Sequence, residues 1–374
     1  MSSPISSPVS LAEDEAPQDI SGSTLPNFTK ENTLYFFDGN IVIAAAIGNE
    51  EGLIFRVHKS LLSLHSPVFS DMFSIPASPD GALNPNDFFE GVPLVRMYDK
   101  AADVFDFLRI FYHAPSFMLT RYDPETPRKI QGILRLAKKY QITFLSDRLI
   151  KQFEADWPQT IPEWDRLEGE VMLCQTRRRT EDLEEHIPPF NDDIFPEPGS
   201  AIRLAREFHL TNVLPAAFYH LSRLEISCDR SAKEIDRGVA ARIVEVQEEG
   251  GRTADWSFLT NGDLKCLLLG RERIRQYLQG KATLSVFHVS LKEVNMCHRD
   301  CNAASLDSKL QSLARCTSDA MNDLKALVAE DGEAIEELCP TCQRRAGEIA
   351  TGLRMAIWDS LYEFFNLPIP SYLE

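Results

Sequence analysis

Two stretches of this chain gather residue types that do chemistry. Residues 55–73, FRVHKSLLSLHSPVFSDMF, hold two histidines, one lysine, four serines and one aspartate. Hydrolases build active sites from such side chains, with a nucleophile on a strained turn and a base within hydrogen-bond reach. The second stretch is a set of cysteine pairs. Cys297 and Cys301 form a C-x3-C pair, Cys339 and Cys342 form a C-x2-C pair, and 37 residues separate the two. Four such thiolates can hold zinc tetrahedrally at about 2.3 Å per sulfur, closed to substrate water. His298 is an alternative donor, and two unrelated thiol pairs on helices are the plainer reading.

The elements that carry these residues decide between the readings. DGNIVIAAAIG reads as a strand entered through an Asp-Gly turn, and LIFRVH as a second strand after the polar connection NEEG. In the next segment Leu61, Leu64, Val68 and Met72 recur at three and four residues, with Leu62, Phe69 and Phe73 beside them. That spacing gives one broad helical face. Ser66-Pro67 divides it, because proline is tolerated best in a first helical turn with serine before it as the cap. Two short helices meeting at Ser66 are therefore expected. The serines fall at caps and polar helix positions, where Ser66 contributes about 1 kcal/mol as a cap. Gly-x-Ser-x-Gly, Gly-x-Gly-x-x-Gly and the Walker pattern are all missing from the sequence. A binding scaffold, not an enzyme, is the expectation.

Residues 1–30 are rich in Ser, Pro and acidic side chains and are expected to be a disordered tail. VPLVRMYD reads as a third strand, and helices follow over KAADVFDFLRIFYHA, PRKIQGILRLAKKYQI and FLSDRLIKQFEADW. A domain over 31–158 results. Residues 159–230 read as an acidic linker, including Arg177–Arg179 as a solvated loop, and then a helical extension, GSAIRLAREFHL and NVLPAAFYHLSRL. Residues 231–374 read as a further helical region, zinc-stapled if the cysteine pairs bind metal. Its tail carries Met355, Trp358, Leu361, Tyr362 and Phe365 as an apolar stripe, read first as core and second as a docking helix.

The 374 residues carry a net charge of −17, which disfavours direct nucleic-acid binding by the whole molecule. The longest apolar run, Ile41–Ile47, is too short to span a bilayer, and the N-terminus lacks a secretory signal. A location in cytoplasm or nucleus, with no membrane partner, is expected.

The order of strand, His-Lys, helix, Ser-Pro-Val-Phe, helix and Met-Phe resembles the signature of the BTB/POZ domain, and VRMYDKAADVFDFLRIFY and ILRLAKKYQITFLSDRLI extend the resemblance over residues 35–157. AIRLAREFHLTNVLPAAFYHLSRL is similar to the helical region that follows this domain in proteins of filamentous and mushroom-forming fungi. The resemblance implies an α+β fold, a short mixed sheet flanked by helical hairpins, ahead of an all-α region. It implies a protein–protein interaction module, commonly a homodimer, without enzymatic activity; no cofactor is expected beyond the structural zinc that the cysteine spacing allows. Asp38 and Lys59 match the charged pair near the dimer-facing surface, and His58 the histidine joining strand to helix. His58 is then either a core residue satisfied by backbone groups or an interface residue. Phe69, Met72 and Phe73 match buried helix positions. Two narrower roles stand beside the interaction module: substrate adaptor of a cullin-type ubiquitin ligase, and transcriptional regulator with a structural zinc site.

Overall fold

The computed structural model of the chain describes residues 27–47, 51–75, 87–113, 117–180, 189–292, 301, 303–316, 318–329 and 338–369. They fall in two units. One is formed by residues up to Met118 with Gly132–Asp147, the other by Leu119–Gln131 with Arg148 onwards.

The first unit is built on β2 (Ile41–Ala46), whose sequence IVIAAA is apolar throughout and buried on both faces. A strand with no polar face must lie inside a sheet covered on both sides. It pairs antiparallel with β3 (Gly52–Val57) and parallel with β5 (Val92–Lys100). β4 (Phe88–Phe89) adds to the outside of β5, and β1 (Phe28–Tyr35) lies parallel to β3, giving the order β1-β3-β2-β5-β4. The sheet curls until its two ends meet. Glu90, in the β4–β5 turn, takes the Lys30 ammonium at 2.6 Å and the Tyr35 hydroxyl at 2.8 Å, both from β1. The lysine first and the tyrosine second hold the Glu90 carboxyl below its ordinary value.

β1 is a correction to the sequence reading. It opens at Phe28, inside the stretch expected to be a disordered tail. Its side chains are mostly exposed, with Leu34 alone fully buried. The strand is held by backbone pairing and by the Glu90 bridge more than by an apolar face.

α1 (Lys59–His65) and α2 (Pro67–Ser74) follow β3, and they meet at Ser66. Only Leu62 and Phe69 of the broad apolar face are buried; Leu64 is 75% exposed. Ser66, in extended conformation, is at once the C-cap of α1 and the N-cap of α2 and turns the chain here, so the two helices do not share one continuous stripe. α3 (Ala101–Tyr112) packs on β1, β2 and β5 through Ala101, Val104, Phe107 and Leu108. α4 (Thr126–Lys139) and α5 (Thr143–Glu154) come next in the chain.

The second unit is helical. α6 (Ile161–Thr180) runs for 20 residues through what the sequence reading took for an acidic connection, and it absorbs the Arg177–Arg179 run. Trp164, Leu167, Val171 and Cys174 recur at three and four residues along it, and the last three pack with Tyr122, Ile194 and Phe195. α7 (Asn191–Ile194), α8 (Pro198–Phe208), α9 (Leu214–Ser222) and α10 (Arg237–Glu248) come next. They are followed by α11 (Asn261–Thr283), α12 (Val286–Lys292), α13 (Ala304–Cys316), α14 (Ala320–Ala326), α15 (Pro340–Asp359) and α16 (Leu361–Phe364).

A largely buried ionic knot, its side chains 10–20% exposed, ties this unit together. The Arg223 guanidinium reaches Glu168 of α6 at 2.7 Å and Asp319, before α14, at 2.8 Å, and lies over the Trp164 ring. The Tyr219 hydroxyl donates to Asp319 at 2.9 Å and accepts from the Met321 N–H at 2.8 Å. Burial alone would raise the Asp319 carboxyl, but Arg223 outweighs it and holds the group below its ordinary value. Every charge is paired, which is the condition for burying such groups without a large penalty. In the tail, Leu361 and Phe365 are core residues, Trp358 and Tyr362 are half-buried, and Met355 is exposed.

Candidate functional site

The opening histidine lies where β3 becomes α1. Its backbone N–H donates to the Tyr112 hydroxyl at 2.8 Å, and its ring Nδ1 is 3.1 Å from the same oxygen. A hydroxyl that accepts the backbone N–H has one proton to give, and Nδ1 is placed to take it. Nε2 then carries its hydrogen toward Asp38 Oδ1, 3.4 Å away. Burial first raises the Tyr112 hydroxyl above its ordinary value, with the His58 N–H opposing and the Asp38 charge adding to the shift. The Phe36 ring stacks on Tyr112 at 4.7 Å between centroids.

The turn before β2 closes the arrangement. Asn40 Oδ1 accepts the Lys59 N–H at 2.8 Å, satisfying one of the orphan donors that start α1, since His58 itself provides no side-chain cap. Arg56 Nε donates to the Gly39 carbonyl at 2.8 Å. Asp38, Gly39 and Asn40 are thereby fastened to the β3–α1 junction. The Lys59 ammonium lies 5.5 Å from the centre of the Phe73 ring, a cation–π contact joining the start of α1 to α2. Phe37, next to Asp38, is 89% exposed.

Among the described residues, the hydrogen-bonding and ionic partners of the His58 ring are Tyr112 and Asp38, and no serine is among them. The satisfying groups are side chains, not the backbone groups the sequence reading named. His65 stacks on Phe111 at 5.0 Å and meets the tilted Phe144 ring at 5.4 Å. Ser66 is buried. It accepts the Phe69 N–H at 3.1 Å as the cap of α2 and donates to the Tyr140 carbonyl at 2.6 Å. Phe69 is buried against Tyr140, with ring centroids 4.3 Å apart, whereas Met72 and Phe73 are half-buried. The polar residues of the opening stretch thus punctuate and fasten helices.

Tyr112, Asn40 and Tyr140 were not singled out from the sequence. They stand 54, 19 and 74 residues from the groups they bind, and no local pattern links them.

Three of the four paired cysteines meet in the helical unit. The sulfurs of Cys301, Cys339 and Cys342 all lie within 4.8 Å of one another. Cys297 and His298 lie outside the described residues. Cys339 caps α15, and its backbone N–H donates to the Cys301 sulfur at 3.2 Å.

Among the described residues no helix is long and apolar enough to cross a membrane. Comparison with curated proteins and with solved structures gives no match. A family model, BTB/POZ domain, matches residues 40–156, the stretch that opens at Asn40 and holds β2, β3, α1, α2, α3, α4 and α5. A curled mixed sheet with two capped helices after β3 carries the Ser-Pro and His-Lys punctuation there, and the chain contains a BTB/POZ domain, a protein–protein interaction module.

Proposed function

We propose that this chain is a non-enzymatic interaction protein that self-associates through its BTB/POZ domain and offers its helical region to a further protein partner. The match over residues 40–156 carries this reading. Two features support the self-contact. Phe37 is a large apolar side chain left 89% exposed, and the Asp38–His58 pair and the Asn40 cap fix its turn to the β3–α1 junction. A rigid turn bearing an exposed aromatic is the kind of anchor that interfaces use. The net charge of −17 favours protein partners over nucleic acid.

Co-expression of two copies of the full chain with different affinity tags tests the proposal. Capture of one tag retains the other copy at about half the amount of the captured one if equally expressed chains pair at random into two-fold dimers. Recovery of the captured copy alone, at concentrations where both are folded, contradicts it.

A further inference from the structure

We propose that Cys301, Cys339 and Cys342 form a structural zinc site that clasps the approach to α13 to the start of α15. Tetrahedral zinc with about 2.3 Å to each sulfur places its sulfurs about 3.8 Å apart. The three sulfurs here are all within 4.8 Å of one another, so small side-chain adjustments bring them onto one ion. They come from positions 38 residues apart in the chain, so their convergence is a product of the fold and not of local spacing alone.

The surroundings suit anionic sulfur. The Cys339 N–H donates to the Cys301 sulfur at 3.2 Å, a bond that orients the ligand and disperses its charge. Cys339 is the cap of α15 and Cys342 stands in its first turn, so both sulfurs sit at the positive end of a 20-residue helix. Pro340 at the first helical position leaves no N–H there to compete for a sulfur. Cys342 is 3% exposed. A thiol of that burial gains from coordination what it lacks in water contacts.

Three sulfurs also argue against a simple disulfide, which would use two and strand the third. The site as proposed rests on the three thiols that converge. Its role is mechanical: the ion fastens α15, which packs on α12 and α14, to the segment leading into α13.

Zinc analysis of the full chain, purified under reducing conditions without chelator, is the direct test. About one zinc ion per chain is expected. Cys339→Ser and Cys342→Ser are expected to lose it, and Cys174→Ser, on α6, to retain it. Because the first two variants could fail to fold, the wild-type chain supplies a second measurement. Removing metal with a chelator should raise the number of rapidly reacting thiols by about three or more, and adding Zn2+ alone should protect them again. Wild-type protein that holds no stoichiometric zinc and takes none up after reduction overturns the proposal. So does equal loss of zinc in Cys174→Ser, or a disulfide among these cysteines in protein that has never seen oxidant.

Discussion

At the scale of single residues, Ser66 shows how a catalytic-looking letter becomes a structural one. Its oxygen caps α2 and its proton goes to the Tyr140 carbonyl, both inside the core. Ser66→Ala removes a cap contributing about 1 kcal/mol and leaves a buried carbonyl without its donor at a similar cost, so a loss of roughly 2 kcal/mol is expected in urea denaturation. A loss below about 0.5 kcal/mol would mean that the Tyr140 carbonyl finds another partner. Asp156 makes a different prediction. Burial pushes its carboxyl up to about 6, although the Tyr122 N–H at 2.9 Å favours the charged form. An unfolded aspartate titrates near about 3.9. The folded chain therefore keeps a proton that the unfolded chain gives up. The stability tied to that proton is complete below pH 4 and is lost as pH rises through 6. Asp156→Asn should be more stable than wild type at pH 7.5, with the gap closing toward pH 4. Urea midpoints at the two pH values check this, and a gap independent of pH would contradict it.

Elements were legible where apolar period and turn chemistry agreed. β2, β3, α1, α2 and α3 all stand where alternation, the Asp-Gly turn and Ser66-Pro67 placed them. β1 was not legible, because FTKENTLY has one fully buried side chain and its pairing is supplied by β3 far along the chain. α6 was hidden by its acidic content, although Trp164, Leu167, Val171 and Cys174 carried a helical period that the charge count obscured. The cysteine pairs were visible as spacing, but only the fold brings Cys301 to Cys339 and Cys342. One contact between helices makes an element-scale prediction. A Cβ added at Gly270 of α11 would lie 1.9 Å from the Phe365 ring, which is fully buried. Alanine raises helix propensity by about 1 kcal/mol over glycine, yet the clash forces an aromatic core residue to move and costs more than that. Gly270→Ala should lower the thermal midpoint; a rise would show that Phe365 can yield.

For the whole molecule, the family match spans residues 40–156. The function therefore rests on the one part that is recognised, and its central claim is self-association through the face that carries Phe37. Burying a phenylalanine contributes about 1.5–3 kcal/mol, and a two-fold symmetric interface counts each substitution twice. Phe37→Asp should then weaken association by about a hundredfold or more. Sedimentation equilibrium of the full chain over a dilution series measures this directly. A wild-type dimer that dissociates on dilution is expected, and a Phe37→Asp chain with unchanged circular dichroism that is monomeric over the same range. A wild-type chain that is monomeric at every concentration would contradict it.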